Sequence, residues 1–120
     1  MRQNAGFPLS DHEYQALSAF LKRALGEHPG YITDAILFGS RARRDYHAES
    51  DVDILLITTT EDWRFKHAIS NIAADIGLEC DLIIDARIIG SERWDRMRRE
   101  HFSLYENITR DGIPFAPAFA

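Results

Sequence analysis

The sequence predicts an α+β protein of α/β order, α-β-α-β-α-β-α, with a small mixed sheet flanked by helices. Three observations carry that expectation. Segments with apolar residues at helical spacing alternate with short, continuous apolar runs. The first two runs are joined by a stretch with room for only about two helical turns, which suits an antiparallel pair. The second and third are joined by a full helix, which suits a parallel, right-handed crossover.

Each element has its own signal. Ser10-Asp11-His12-Glu13 has the S-x-x-E form of a capping box. Tyr14, Leu17, Phe20, Leu21 and Leu25 follow at helical spacing, and Gly26 with "EHPG" reads as a stop, so a helix is expected over 11–25. Ile36-Leu37-Phe38, preceded by Tyr31-Ile32-Thr33, reads as the first strand. "SRARRDY" reads as a short helix and "HAES" as a loop. Residues 51–58 read as the second strand, and its unbroken Ile54-Leu55-Leu56-Ile57 predicts a central place, buried on both faces. Thr60 is expected to cap the next helix, with Glu61 and Asp62 in its first turn. Phe65, Ile69, Ile72 and Ile76 line one face of that helix, and Gly77 is read as its end. The third strand is expected over 78–84. Ser91 opens a last helix with Trp94, Met97, Leu104, Tyr105 and Ile108 as its apolar positions, ended by Asp111-Gly112. "IPFAPAFA" is a Pro-broken apolar tail, expected to pack on the body or on a partner. With no internal repeat and no linker, the expectation is one domain over 1–120, its core at about 11–115.

Composition narrows the function classes. The chain has 45% apolar and 28% charged residues, an ordinary globular balance, and is long enough to bury a core without disulfides. A formal net charge of -5 argues against direct nucleic-acid binding through a broad basic surface. The single cysteine, Cys80, excludes a disulfide framework within the chain and fits a reducing compartment. It reads as an inert core thiol. "MRQNAGFPLS" has no signal-peptide core, and no apolar run approaches membrane-spanning length. A soluble cytoplasmic protein is expected.

The chemistry concentrates in "FGSRARRDYHAESDVDILLI". Gly39-Ser40 follows the first strand, and Asp51-Val52-Asp53 opens the second. An antiparallel pairing puts both at one sheet edge. A parallel third strand begins there too, with Asp81 at its expected start. Alternation places Asp51 and Asp53 on one strand face, where their like charges repel unless cations lie between them. Hard divalent cations take oxygen ligands and share them with substrate phosphates, and a third carboxylate completes a two-metal arrangement. Gly39 lets backbone approach a phosphate, Ser40 adds a hydroxyl, and the following helix start favours anions. Together these describe a nucleoside triphosphate site. Either half alone is usually a plain turn or a solvated strand end; the combination is far harder to reach by accident. There is no G-x-x-x-x-G-K-[ST] phosphate loop. Haloacid-dehalogenase-like phosphatases carry D-x-D after their strand, whereas here the pair precedes it.

Gly39-Ser40 and Asp51-Val52-Asp53 at this spacing resemble the signature of the DNA polymerase beta nucleotidyltransferase superfamily. The likeness is closest to the minimal nucleotidyltransferases, also called MNT or MntA-like proteins, whose "GSRARGD" is matched by "GSRARRD". The "NITRDGIPF" segment is similar to that family's usual ending. The resemblance, spanning about 36–115, implies a polymerase-beta-like fold and transfer of a nucleoside monophosphate, AMP from ATP, to a hydroxyl. It implies two Mg²⁺ ions on Asp51 and Asp53, with Asp81 as the third carboxylate that activates the hydroxyl. It implies that Gly39 and Ser40, with Arg41 and Arg43, meet the phosphates. It also implies a HEPN-domain partner, a ribonuclease toxin adenylylated on tyrosine by this antitoxin.

Arg44 stands where "GSRARG" has glycine, which either strains the loop or adds a cation near phosphate. A solvated basic loop is the competing account of Arg41, Arg43 and Arg44. Asp85 shares the parity of Asp81 and is its rival, ranked second for lying at the far end of the expected strand. His47 reads as an exposed loop histidine. Arg93, Arg96, Arg98 and Arg99 alternate with acids at helical spacing and read mostly as a salt-bridged solvated face. The alternative function is a catalytically weak or inactive antitoxin that neutralises its partner by binding, which Arg44 favours. Transfer to a small molecule, as in aminoglycoside nucleotidyltransferases, ranks third, because their acceptor pocket usually needs a second domain. Acceptor, base preference and homo-oligomerisation are left open.

Overall fold

The computed structural model describes residues 8–43 and 51–115. Arg44, His47, the "HAES" loop, residues 1–7 and the tail beyond Phe115 lie outside them, as does the side chain of Ser40. The described elements are α1 (Asp11–Glu27), β1 (Ile32–Phe38), α2 (Gly39–Arg43), β2 (Val52–Thr58), α3 (Trp63–Cys80), β3 (Ile84–Gly90), α4 (Ser91–Arg99), α5 (Ser103–Asp111) and β4 (Ile113–Pro114).

The expected capping box forms: the Ser10 hydroxyl accepts from Glu13 N at 3.1 Å, and Ser10 N donates to Glu13 Oε1 at 2.9 Å. The helix runs through Gly26 to Glu27. Among the described residues the sheet has four strands in the order β3-β2-β1-β4. As expected, β1 and β2 are antiparallel and β2 and β3 parallel. The start of the apolar tail adds the short β4, antiparallel to β1. It then buries Phe115 edge-on to Tyr14, with ring centroids 5.3 Å apart.

Strand β2 is central and buried on both faces. Its Val52, Ile54 and Leu56 join Leu17, Phe20 and Leu21 of α1 and Phe65, Ile69 and Ile72 of α3 in one core. Leu55 and Ile57 point the other way, to Ile89, Met97 of α4 and Ile108 of α5. The result is two helical layers around a mixed sheet. Among the described residues no helix is long and apolar enough to cross a membrane.

Four expected boundaries are corrected. Asp62, not Thr60, caps α3, accepting from Arg64 N at 2.7 Å. Gly77 does not end α3. The helix continues to Cys80 and is closed by Asp81 in the left-handed conformation, φ 55°. Gly77 instead admits the returning chain: a Cβ there would lie 2.6 Å from Leu82 O. Strand β3 therefore begins at Ile84 rather than Leu78. The single last helix is two, broken where His101 adopts φ 54°. The break lets Met97 and Ile108 both reach the same face of the sheet.

Candidate active site

The site grows out of strand register. Phe38, the last residue of β1, is paired with Asp53, so Gly39 follows directly beside that carboxylate. Gly39 has φ 73°, which disfavours any side chain. A Cβ on it would also lie 2.2 Å from Asp53 Oδ2. Glycine is required twice over, by its backbone and by the acid packed on its Cα.

On the other side of β2, Asp53 is paired with Asp85 of β3. The two carboxyls face each other across the strand pair, near enough for Asp85 to act on Asp53. Asp51, exposed just before β2, adds a third charge from the same strand parity. Burial first, then the charge and hydrogen bond of Asp85, then the charge of Asp51, push the Asp53 carboxyl up to about 6. Arg87 opposes them. Its Nε lies 3.8 Å from Asp85 Oδ2, and its guanidinium sits 6.0 Å from the Phe38 ring centroid.

The structure thus brings together Gly39, Asp51, Asp53 and Asp85. It does not bring Asp81 with them. Asp81 was expected to open a strand; it caps α3 instead and is exposed. It faces a groove on the α1 and α3 side, lined also by Glu13, Arg41, Leu78 and Ile83. Arg41 lies on that side too. It is 2% exposed, with Nη2 2.7 Å from Glu13 Oε2, so its charge fastens α2 to α1. Arg43 is exposed and leans toward α5, where its charge helps hold the Asp111 carboxyl below its usual range, after the Arg110 contacts. The basic run of α4 is confirmed as mostly salt-bridged: Asp95 pairs with both Arg98 and Arg99. Arg93 is different, reaching back to Glu61 at 2.8 Å.

Among the described residues no three acidic, histidine or cysteine side chains form a ready-made metal cage. The chemistry of the donors nevertheless fits a divalent cation. They are oxygen-only, which suits a hard ion. The repulsion that raises Asp53 is also what a cation between the carboxylates removes. Arg87 was missed by sequence reading. Setting β3 at its true register would have found it, as Asp85-Ala86-Arg87 puts acid and base on one strand face.

Residues 21–110 match the family described as polymerase beta, nucleotidyltransferase. The chain belongs to the polymerase beta nucleotidyltransferase family. A Methanocaldococcus jannaschii protein, provisionally named a protein adenylyltransferase, is 29% identical over 101 residues, 84% of this chain and 95% of the relative. A crystal structure from Sulfolobus solfataricus, provisionally named a nucleotidyltransferase, superposes with a TM-score of 0.53 at 18% identity. The match covers 85% of this chain and 78% of that one, and at such identity it is a likeness of fold. The nucleotidyltransferase therefore carries its acidic residues where β1, β2 and β3 meet at one sheet edge, beside the glycine that ends β1.

Proposed function

We propose that this nucleotidyltransferase moves AMP from ATP to a hydroxyl on a polypeptide, with Mg²⁺ held by Asp51, Asp53 and Asp85. The observation that carries the reading is the cross-strand pair Asp53–Asp85, packed against Gly39. The name of the M. jannaschii relative supports a protein acceptor. The "GSRARRD" stretch supports the finer reading: a tyrosine of a HEPN-domain toxin, with this chain as antitoxin. Cytoplasmic residence and a single domain belong to the same reading.

When bound, the magnesium would neutralise charge on the triphosphate oxygens. The chain supplies the rest. Gly39 leaves room for the Asp53 carboxylate against the backbone, and Ser40 is the hydroxyl donor proposed for the phosphates. Asp85 takes the role first expected of Asp81: it orients the acceptor hydroxyl and accepts its proton. The acceptor oxygen bonds to the α-phosphorus, the α–β phosphoanhydride bond breaks, and pyrophosphate leaves.

The test is incubation with labelled ATP, Mg²⁺ and the neighbouring gene's product. Label should appear on that partner, vanish with Asp53→Asn or Asp85→Asn, and persist with Asp81→Asn. No label from the wild type, together with full toxin neutralisation by Asp53→Asn, would replace this reading with the binding-only antitoxin. Loss of label with Asp81→Asn but not Asp85→Asn would overturn the assignment of the third carboxylate.

A further inference from the structure

The α3–β3 turn breaks the usual rule for apolar side chains. Leu78 is 84% exposed and Ile83 is 63% exposed. Both line a groove of about 790 Å³ whose walls are α1, α2, α3 and the start of β3. Ala73, Ala74 and Gly77 of α3 also line it. Large aliphatics exposed together on a concave surface mark a docking site more often than chance exposure. Leu78 is not needed by the core; Ile69, Ile72 and Ile76 of the same helix fill it.

The charged side chains that line the groove are Glu13, Arg41 and Asp81, and Glu79 follows Leu78 at its rim. Glu79 and Asp81 are exposed beside Leu78, and among the described residues neither forms an ion pair. Glu13 at the far wall is already matched by Arg41. A partner filling this groove must therefore bring apolar anchors and its own positive charge.

Position says what the partner delivers. Ile83 O accepts from Val52 N at 2.9 Å, so the groove ends at the strand start, between Asp51 and Asp53. Asp85 lies two residues beyond Ile83. At about 3.3 Å per residue that is roughly 7 Å along the strand, and because Asp53 and Asp85 alternate to the face opposite Val52 and Ile84, the segment must round the end of the sheet. An extended segment anchored on Leu78 and Ile83 needs only two or three further residues to bring a side chain over the edge to Asp85 and Asp53.

Resting on the protein-acceptor reading above, we propose that this groove docks the acceptor polypeptide, through aliphatic or aromatic anchors flanked by lysine or arginine, placing its hydroxyl at the carboxylates. Leu78, Glu79 and Ile83 set acceptor choice; they take no part in the chemistry.

The experiment uses the full chain, the neighbouring gene's product, and a short peptide in which tyrosine is flanked by leucine and lysine. Leu78→Ser and Glu79→Lys should each raise KM for the acceptor about 10-fold, a loss of about 1.4 kcal/mol of binding. They should leave ATP binding, the rate at saturating acceptor and thermal stability unchanged. Glu79→Lys should recover with a peptide whose lysines are glutamates. Equal labelling of the acceptor by wild type and both variants overturns the docking site and leaves the proposed function standing. Absence of label on any polypeptide, with a small-molecule alcohol labelled instead, sinks the protein-acceptor reading itself. A dimer in sedimentation that Leu78→Ser dissolves, with unchanged acceptor KM, makes the face a contact between copies and overturns the proposal.

Discussion

Two carboxylates at opposite ends of the central strand have opposite electrostatic fates. Asp53, at the start of β2, faces Asp85 and Asp51 and is pushed up to about 6. Glu61, just past the end of β2, accepts from Arg93 Nε at 2.8 Å, from Arg93 Nη2 at 3.0 Å and from Gly90 N at 2.9 Å. The Arg93 hydrogen bonds outweigh the opposing effect of burial and, with the hydrogen bond from Gly90 and the charges of Arg93 and Lys66, hold it at about 2. One end of the sheet spends charge on cohesion, tying the loop after β2 to β3 and α4. The other end gathers like charges with no structural return. The difference separates a residue that serves the fold from the one we propose serves the reaction.

The largest effects should come from the repulsive end. Asp53→Asn should lower nucleotidyl transfer about 10²- to 10³-fold or more. Gly39→Ala should come close to it, since the methyl must displace the Asp53 carboxylate and adopt a disfavoured φ. Both proteins should stay folded, checked by circular dichroism beside the labelled-transfer rate. A Gly39→Ala enzyme with full activity would show that the carboxylate works from another position.

At the cohesive end the ranking reverses. Glu61→Gln should cost about 1–3 kcal/mol of stability, because Arg93 and Gly90 N–H lose a charged acceptor. Activity in the folded fraction should be near normal. Glu61 is held below its unfolded value, so its contribution is present above pH about 4.5 and lost as pH falls toward 2. Urea unfolding of wild type and Glu61→Gln should therefore differ at pH 7 and converge in strong acid. A double cycle with Arg93→Met should return a coupling energy of about 1 kcal/mol.

Asp53 has the opposite sign. Its folded value lies above its unfolded one, so ionisation weakens the fold, absent below pH about 3.8 and complete above about 6. Asp53→Asn should stabilise the protein at pH 8 by about 1 kcal/mol, discounted for solvent screening, and by nothing at pH 3. A variant that gains stability while losing activity is what a site built on repulsion requires. Mg²⁺ should raise the melting temperature of the wild type and leave Asp53→Asn unmoved.

Much of this was legible in the residues. The run Ile54-Leu55-Leu56-Ile57 announced a central strand, and loop lengths announced its two pairings. Gly39 and Asp53 could be placed together because β1 ends and β2 begins at one edge. The acid paired with Asp53 across the sheet could not. Gly77 looks like a helix stop, yet it is kept for the backbone of Leu82, and that moves the strand start from Leu78 to Ile84. Asp81 and Asp85 exchange places as a consequence. Arg41 and Arg43 look alike in sequence, but about half a turn of α2 separates them, sending Arg41 into a buried pair and leaving Arg43 exposed. The break at His101 has no glycine or proline to signal it.

The smallest predicted effect tests whether the repulsive end is wholly uncompensated. Among the described residues Arg87 is the cation acting against the rise of Asp53, and it is 61% exposed at the side chain. An exposed guanidinium 3.8 Å from Asp85 is screened by water, so its influence is modest. Arg87→Met should leave stability within about 0.5 kcal/mol of wild type. It should raise the pH of the acid limb of kcat/KM by less than about half a pH unit, because Asp53 loses a counter-charge. Arg87→Lys should restore the limb, as a point charge suffices for a screened interaction. A limb that moves to lower pH in Arg87→Met would mean that Arg87 holds Asp85 away from Asp53 and so enforces the repulsion it was expected to relieve.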